Sequence, residues 1–101
     1  MPENVLFSIL YTKRSDADAI TIKNYLLYKF TQKEVDKFYN LLRIFENVVA
    51  VFPELYPQSS KGKNIHRAVL SKQLSVFYKI SGDKIYVLAI LDNHMDYTKW
   101  P

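Results

Sequence analysis

The stretch from Asn64 to Asn93 leaves this chain few folds to choose from. It reads as a three-stranded meander over Ile65–Ser71, Leu74–Ser81 and Lys84–Asp92. Ser81-Gly82-Asp83-Lys84 predicts a tight hairpin between the last two runs, because Gly82 can take the positive φ that a two-residue loop demands. Ser71-Lys72-Gln73 is a weaker polar turn. In the middle run Leu74, Val76, Tyr78 and Ile80 share one face, while Ser75, Lys79 and Ser81 lie on the other with Phe77. That period-2 pattern predicts one buried face and one mostly wet face. The last run is apolar on both faces, with Ile85, Val87, Ala89 and Leu91 on one and Tyr86, Leu88 and Ile90 on the other. It predicts a central, well-covered strand. The upstream half must supply the layer that covers this sheet.

Val5 to Thr12 alternates as a first strand. Arg14 to Phe30 follows as a helix, with Ser15 or Asp16 able to cap it and Asp16 and Asp18 suited to the positive end of its dipole. Ser15, Ala19, Ile22, Leu26 and Phe30 form its apolar stripe, widened by Tyr25 and Leu27. Thr31 with Glu34 reads as a capping box for a second helix running to about Phe52. Val35, Phe38, Leu42, Phe45, Val49 and Phe52 recur along it at helical steps, broadened by Leu41, Ile44, Val48 and Val51. This stripe reads as core rather than as a cofactor box. Only Thr31 separates the two helical patterns, so they are expected to form an antiparallel hairpin. Pro53 ends the second helix, and residues 53–64 form the one long loop, with Lys61-Gly62-Lys63 near its end. The expected class is α+β in the order β-α-α-β-β-β, a helical hairpin packed on one face of a mostly antiparallel four-stranded sheet.

At 101 residues the chain is expected to be a single domain over 1–101. It has no cysteine, which excludes disulfides and thiolate metal sites and fits an intracellular life. Val5 to Tyr11 is too short for a membrane span and follows the acidic Glu3, so no membrane association is expected. Residues 1–54 carry equal numbers of acidic and basic side chains, so the net charge of +4 lies wholly in residues 55–101. A basic surface there suggests an anionic partner, either nucleic acid or an acidic protein segment; a solubilising charge is the competing reading.

Tyr11-Thr12-Lys13-Arg14, Ile22-x-x-Tyr25-Leu26 and Pro53-Glu54-Leu55 follow one another at a familiar spacing. So do Lys63-Asn64-Ile65-His66-Arg67-Ala68-Val69-Leu70-Ser71, Val76-Phe77-Tyr78-Lys79-Ile80 and Lys84-Ile85-Tyr86-Val87-Leu88, which runs on to Leu91-Asp92-Asn93. Over nearly its whole length the chain thus resembles the RelE/ParE superfamily of type II toxin–antitoxin toxins, also known as plasmid stabilisation proteins. The resemblance implies one of two activities. RelE-like members bind the ribosome and cleave mRNA; ParE-like members poison DNA gyrase. It also implies a cognate antitoxin whose partly disordered segment folds on the toxin, a toxin–antitoxin hetero-oligomer, a cytoplasmic location and no cofactor or metal.

Metal-free RNA cleavage needs a base for the 2′-hydroxyl, a cation for the phosphate and an acid for the leaving oxygen. The resemblance places these on sheet lysines and arginines and on a C-terminal Tyr or His. Here Ser75 stands where a catalytic arginine would be, and Ala68 and Leu70 stand where lysines would be expected. A nuclease could be built on Arg67, or His66, as the phosphate clamp, with His94 as base or acid, Tyr97 joining it and Glu54 as another proton acceptor. In many ParE-like relatives His66 and His94 would be arginines. For binding, the candidates are Lys61, Lys63, His66, Arg67 and Trp100. Each has a plainer alternative: His66 as a solvated or edge residue, His94 as a local hydrogen-bonding group, Tyr97 and Trp100 as a tucked tail, and the lysines as exposed loop charge. The missing nuclease residues favour a ParE-like toxin acting by binding. A ribosome-dependent mRNA endonuclease and an inactive antitoxin-binding relative are the alternatives.

Overall fold

A computed structural model of the chain describes residues 6–60 and 62–93. The elements are β1 (Ser8–Tyr11), α1 (Lys13–Lys29), α2 (Gln32–Val51), β2 (Ile65–Val69), β3 (Leu74–Ser81) and β4 (Lys84–Asp92). The sheet order is β1-β4-β3-β2, with β1 parallel to β4 and the other pairs antiparallel. β4 is central, as its two apolar faces predict. The β3–β4 hairpin closes on Gly82 at φ +61 with Ser81 paired to Lys84, and positive φ at Gly82 alone fits a type II′ turn.

The two helices cover one face of the sheet. Ile22 and Leu26 of α1 and Val35, Phe38, Leu42, Phe45 and Val49 of α2 meet Ala68, Val76, Tyr78, Ile85, Val87 and Ile90 of the sheet. Phe45 is fully buried edge-on to Tyr78, with ring centroids 5.5 Å apart. Burying such a side chain contributes roughly 1.5–3 kcal/mol.

Several local expectations are corrected. The N-cap of α1 is Thr12, not Ser15 or Asp16: its backbone is extended and its hydroxyl accepts from the Ser15 N–H at 3.2 Å. Ser15 lies inside the helix and is buried. Thr31 is the N-cap of α2 but makes no side-chain capping bond, so the expected capping box is not closed; the Glu34 N–H bonds the Thr31 carbonyl at 3.0 Å instead. Phe30 and Phe52 are exposed because each sits at a helix C-cap, where the stripe has already ended. The outer face of β3 is not wet along its first half, since Ser75 and Phe77 are buried.

The largest correction concerns β4. Tyr78 pairs with Val87, but Phe77 pairs with Ala89, so Leu88 is the extra residue of a β-bulge. Beyond it the alternation flips. Ile85, Val87, Ile90 and Asp92 are buried, and Ala89 and Leu91 are not on their face as plain alternation predicts. A bulge costs one residue of register, and a pattern reader counting by two cannot see it.

Candidate functional site

The face of the sheet away from the helices carries the candidate site. Along β2 the pleat sends Ile65, Arg67 and Val69 outward and His66 and Ala68 inward. Arg67 pairs across to Phe77, and its guanidinium carbon lies 5.8 Å from the centre of that ring. Its Nε and Nη2 donate to the Ser75 hydroxyl at 3.4 and 3.3 Å. The serine that replaces the expected arginine therefore orients the neighbouring one.

Phe77 borders two hollows. One, of about 390 Å³, is lined by Arg14, Ile65, Leu88, Ala89 and Leu91. The other, of about 320 Å³, is walled by Arg67, Val69 and loop residues 57–60. That loop runs along the outer edge of β2: the Arg67 N–H bonds the Pro57 carbonyl at 2.9 Å, and the Ser59 N–H bonds the Ile65 carbonyl at 2.6 Å. The loop covers an otherwise open strand edge and brings Ser59 and Ser60 to the second hollow.

Arg14 is the residue that sequence reasoning missed. It stands at the start of α1, and its Nε donates to both Asp18 carboxylate oxygens at 3.1 and 3.2 Å. The i,i+4 spacing of Arg14 and Asp18 was the available signal, but nothing in it says that Asp18 is buried or that Arg14 meets the sheet. The two hollows thus offer two guanidinium groups around an apolar, aromatic floor. This set suits an anionic partner that also carries apolar groups. Among the described lining residues there is no carboxylate and no imidazole. They supply charge and stacking.

His66 does not join Arg67. It is 7% exposed, stacked on Tyr78 at 16° with centroids 5.1 Å apart, and its Nδ1 lies 2.8 Å from the Tyr56 carbonyl. A carbonyl only accepts, so Nδ1 carries the proton. His66 does lie on an edge strand, but the expectation of a solvated histidine is corrected: the inward-facing position on β2 is core. Tyr78 donates its hydroxyl to the Pro53 carbonyl at 2.7 Å, and burial pushes its pKa up to about 12. His66 and Tyr78 together pin residues 53–56 to the inner layer. Ala68 is fully buried, so no cation at that position could reach the outer face; Leu70, just past β2, packs against the core. Glu54 and Lys63 are exposed. Lys61, His94, Tyr97 and Trp100 lie outside the described residues.

A larger open groove, of about 810 Å³, flanks the helical hairpin. Its walls include Asp16, Asp36 and Glu46, a poor match for an anionic partner. There Tyr11 donates to the Glu46 carboxylate, and burial with that neighbouring charge pushes the phenol pKa up.

No model of a known protein family matches the sequence, and no curated protein does. Solved structures do match. A chain of the chromosomal ParDE TA system from P. aeruginosa superposes with a TM-score of 0.72 at 16% identity, over 86% of this chain and 96% of that one. HP0894 from Helicobacter pylori, described as a conserved hypothetical protein, superposes with a TM-score of 0.56 at 16% identity, over 88% of this chain and 97% of that one. The shared architecture is the helical hairpin on one face of the mixed four-stranded sheet, and the likeness is one of fold.

Proposed function

We propose that this protein is the toxin of a type II toxin–antitoxin pair, ParE-like in that it acts by binding its target rather than by cutting RNA. DNA gyrase is the expected target, a cognate antitoxin the constitutive partner, and the cytoplasm the site of action. The binding surface is the outer face around Phe77, with Arg14 and Arg67 as its cationic groups and loop residues 57–60 beside it. The observation that carries this reading is the composition of the two outer-face hollows. Their described walls set one arginine each against the Phe77 ring, with glutamine, serine and apolar side chains around them, a set suited to gripping an anionic, partly apolar surface. Likeness of fold to a chain of a ParDE TA system supports the same reading.

The test is a map of new RNA 5′ ends within minutes of inducing the protein without its partner. Growth arrest with intact transcripts is the expected result. New ends clustered inside translated codons would overturn it in favour of a ribosome-dependent endonuclease, and would make Arg67, His94 and Tyr97 the residues to replace.

A further inference from the structure

Asp18 is a carboxylate in the wrong place for a surface helix. It is 3% exposed, on the face of α1 that meets β4. Its Oδ2 accepts the Ile90 N–H at 3.0 Å, and its two oxygens accept from Arg14. Ile90 lies just past the bulge. On the near side, the Thr12 hydroxyl donates to the Val87 carbonyl at 2.9 Å, and the Thr12 N–H bonds the same carbonyl at 3.1 Å. β1 ends at Tyr11 opposite Val87, so from Leu88 onward β4 has no strand on that side. The backbone groups that the missing strand and the bulge leave open meet the first turns of α1 instead.

The sequence offers β4 a second register. Without the bulge, Val76 would face Ala89 rather than Ile90, Ala89 and Leu91 would turn toward the helices, and Leu88 and Ile90 would turn outward. That is the alternation a plain strand of this sequence would adopt. In the bulged register Leu88, Ala89 and Leu91 line the hollow beside Phe77, and the plain register would turn Ala89 and Leu91 away from it. Arg14 lines it too, held by the same carboxylate.

We propose that Asp18 is a positioning residue for the outer-face groove: it fixes β4 in the bulged register through Ile90 and holds Arg14 at the groove wall. As a statement about target binding, this rests on the outer face being the binding surface; as a statement about register, it does not.

The experiment compares wild type, Asp18→Asn and Asp18→Ala by interstrand NMR contacts and by growth arrest at matched soluble levels. Asparagine keeps an acceptor for Ile90 but loses the charge that holds Arg14, so Asp18→Asn retains Val76 opposite Ile90 and gives arrest weaker than wild type but stronger than Asp18→Ala. Asp18→Ala moves Val76 opposite Ala89, loses the groove contacts of Phe77, and weakens arrest at least tenfold in the inducer required. A folded Asp18→Ala chain with Val76 still opposite Ile90 and its groove unchanged overturns the proposal. Should Asp18→Ala fail to fold, the same substitution is made in a chain lacking Leu88. There the strand is regular with the same residues on each face, so Asp18→Ala is expected to fold with Val76 opposite Ile90; persistent unfolding overturns the proposal. A register shift that leaves arrest untouched supports the register claim and removes the outer face as the target surface.

Discussion

His66 and Arg67 are consecutive on β2, and the strand pleat gives them opposite fates. The first is a buried partner of Tyr78, the second an exposed guanidinium over Phe77. Substitutions at the two positions therefore separate stability from function. Arg67→Ala is expected to change stability by less than about 0.5 kcal/mol, as exposed substitutions do, while abolishing growth arrest. Arg67→Lys keeps the charge but loses the planar fork and its stacking, and is expected to give partial arrest. Thermal melts and induction assays on the same preparations check both. Tyr78→Phe leaves the Pro53 carbonyl without its donor and is expected to cost about 1–3 kcal/mol by urea denaturation. The phenol also sets a pH limit. Its folded pKa of about 12 lies above the unfolded value of 10.0, so the unfolded chain loses the proton first as pH rises. Stability from Tyr78 is full below pH 10, declines through the interval and is gone above pH 12. The alkaline decline in melting temperature should be shallower in Tyr78→Phe; an identical decline contradicts the assignment.

Among the elements, the β3–β4 hairpin and the helical hairpin were legible and the β4 register was not. Gly82 between two apolar runs is a local signal, and the structure keeps the turn where the sequence puts it. Gly82→Ala meets no atom within 4 Å, so its cost is that of the positive-φ backbone alone, about 1–3 kcal/mol in a urea melt. Val35, Phe38, Leu42, Phe45 and Val49 are all buried, as helical spacing predicts. Their burial is fixed by position along one helix, and a single sequence carries that information. Thr12 as the cap, Asp18 as a buried carboxylate and Leu88 as a bulge depend on where α1 crosses β4, a long-range fact with no local trace. The site divides the same way. Arg67 was legible as an outward cation, whereas Arg14 and Phe77 meet at one hollow through long-range packing. Ser75 was legible as a departure from a nuclease pattern; its role as the acceptor for Arg67 was not.

At the scale of the whole molecule, the charge divides by half of the chain. Residues 1–54 sum to zero, and the +4 lies in residues 55–101, which include the three-stranded meander. A partner bound there is expected to be acidic and to weaken with salt, since exposed pairs are screened at a Debye length of about 8 Å under physiological conditions. A small acidic protein encoded beside this chain should copurify with it at low salt, and its off-rate should rise as salt is added. Failure of the coexpressed pair to associate at low salt would count against the toxin–antitoxin reading. No helix among the described residues is long and apolar enough to cross a membrane.

The central claim is action by binding, and the most direct measurement is supercoiling by purified gyrase titrated with this protein freed of its partner. The expected result is loss of supercoiling near stoichiometric protein, with double-strand breaks trapped on denaturation, and restoration by Arg67→Ala. Full supercoiling in the presence of excess folded protein would contradict gyrase as the target.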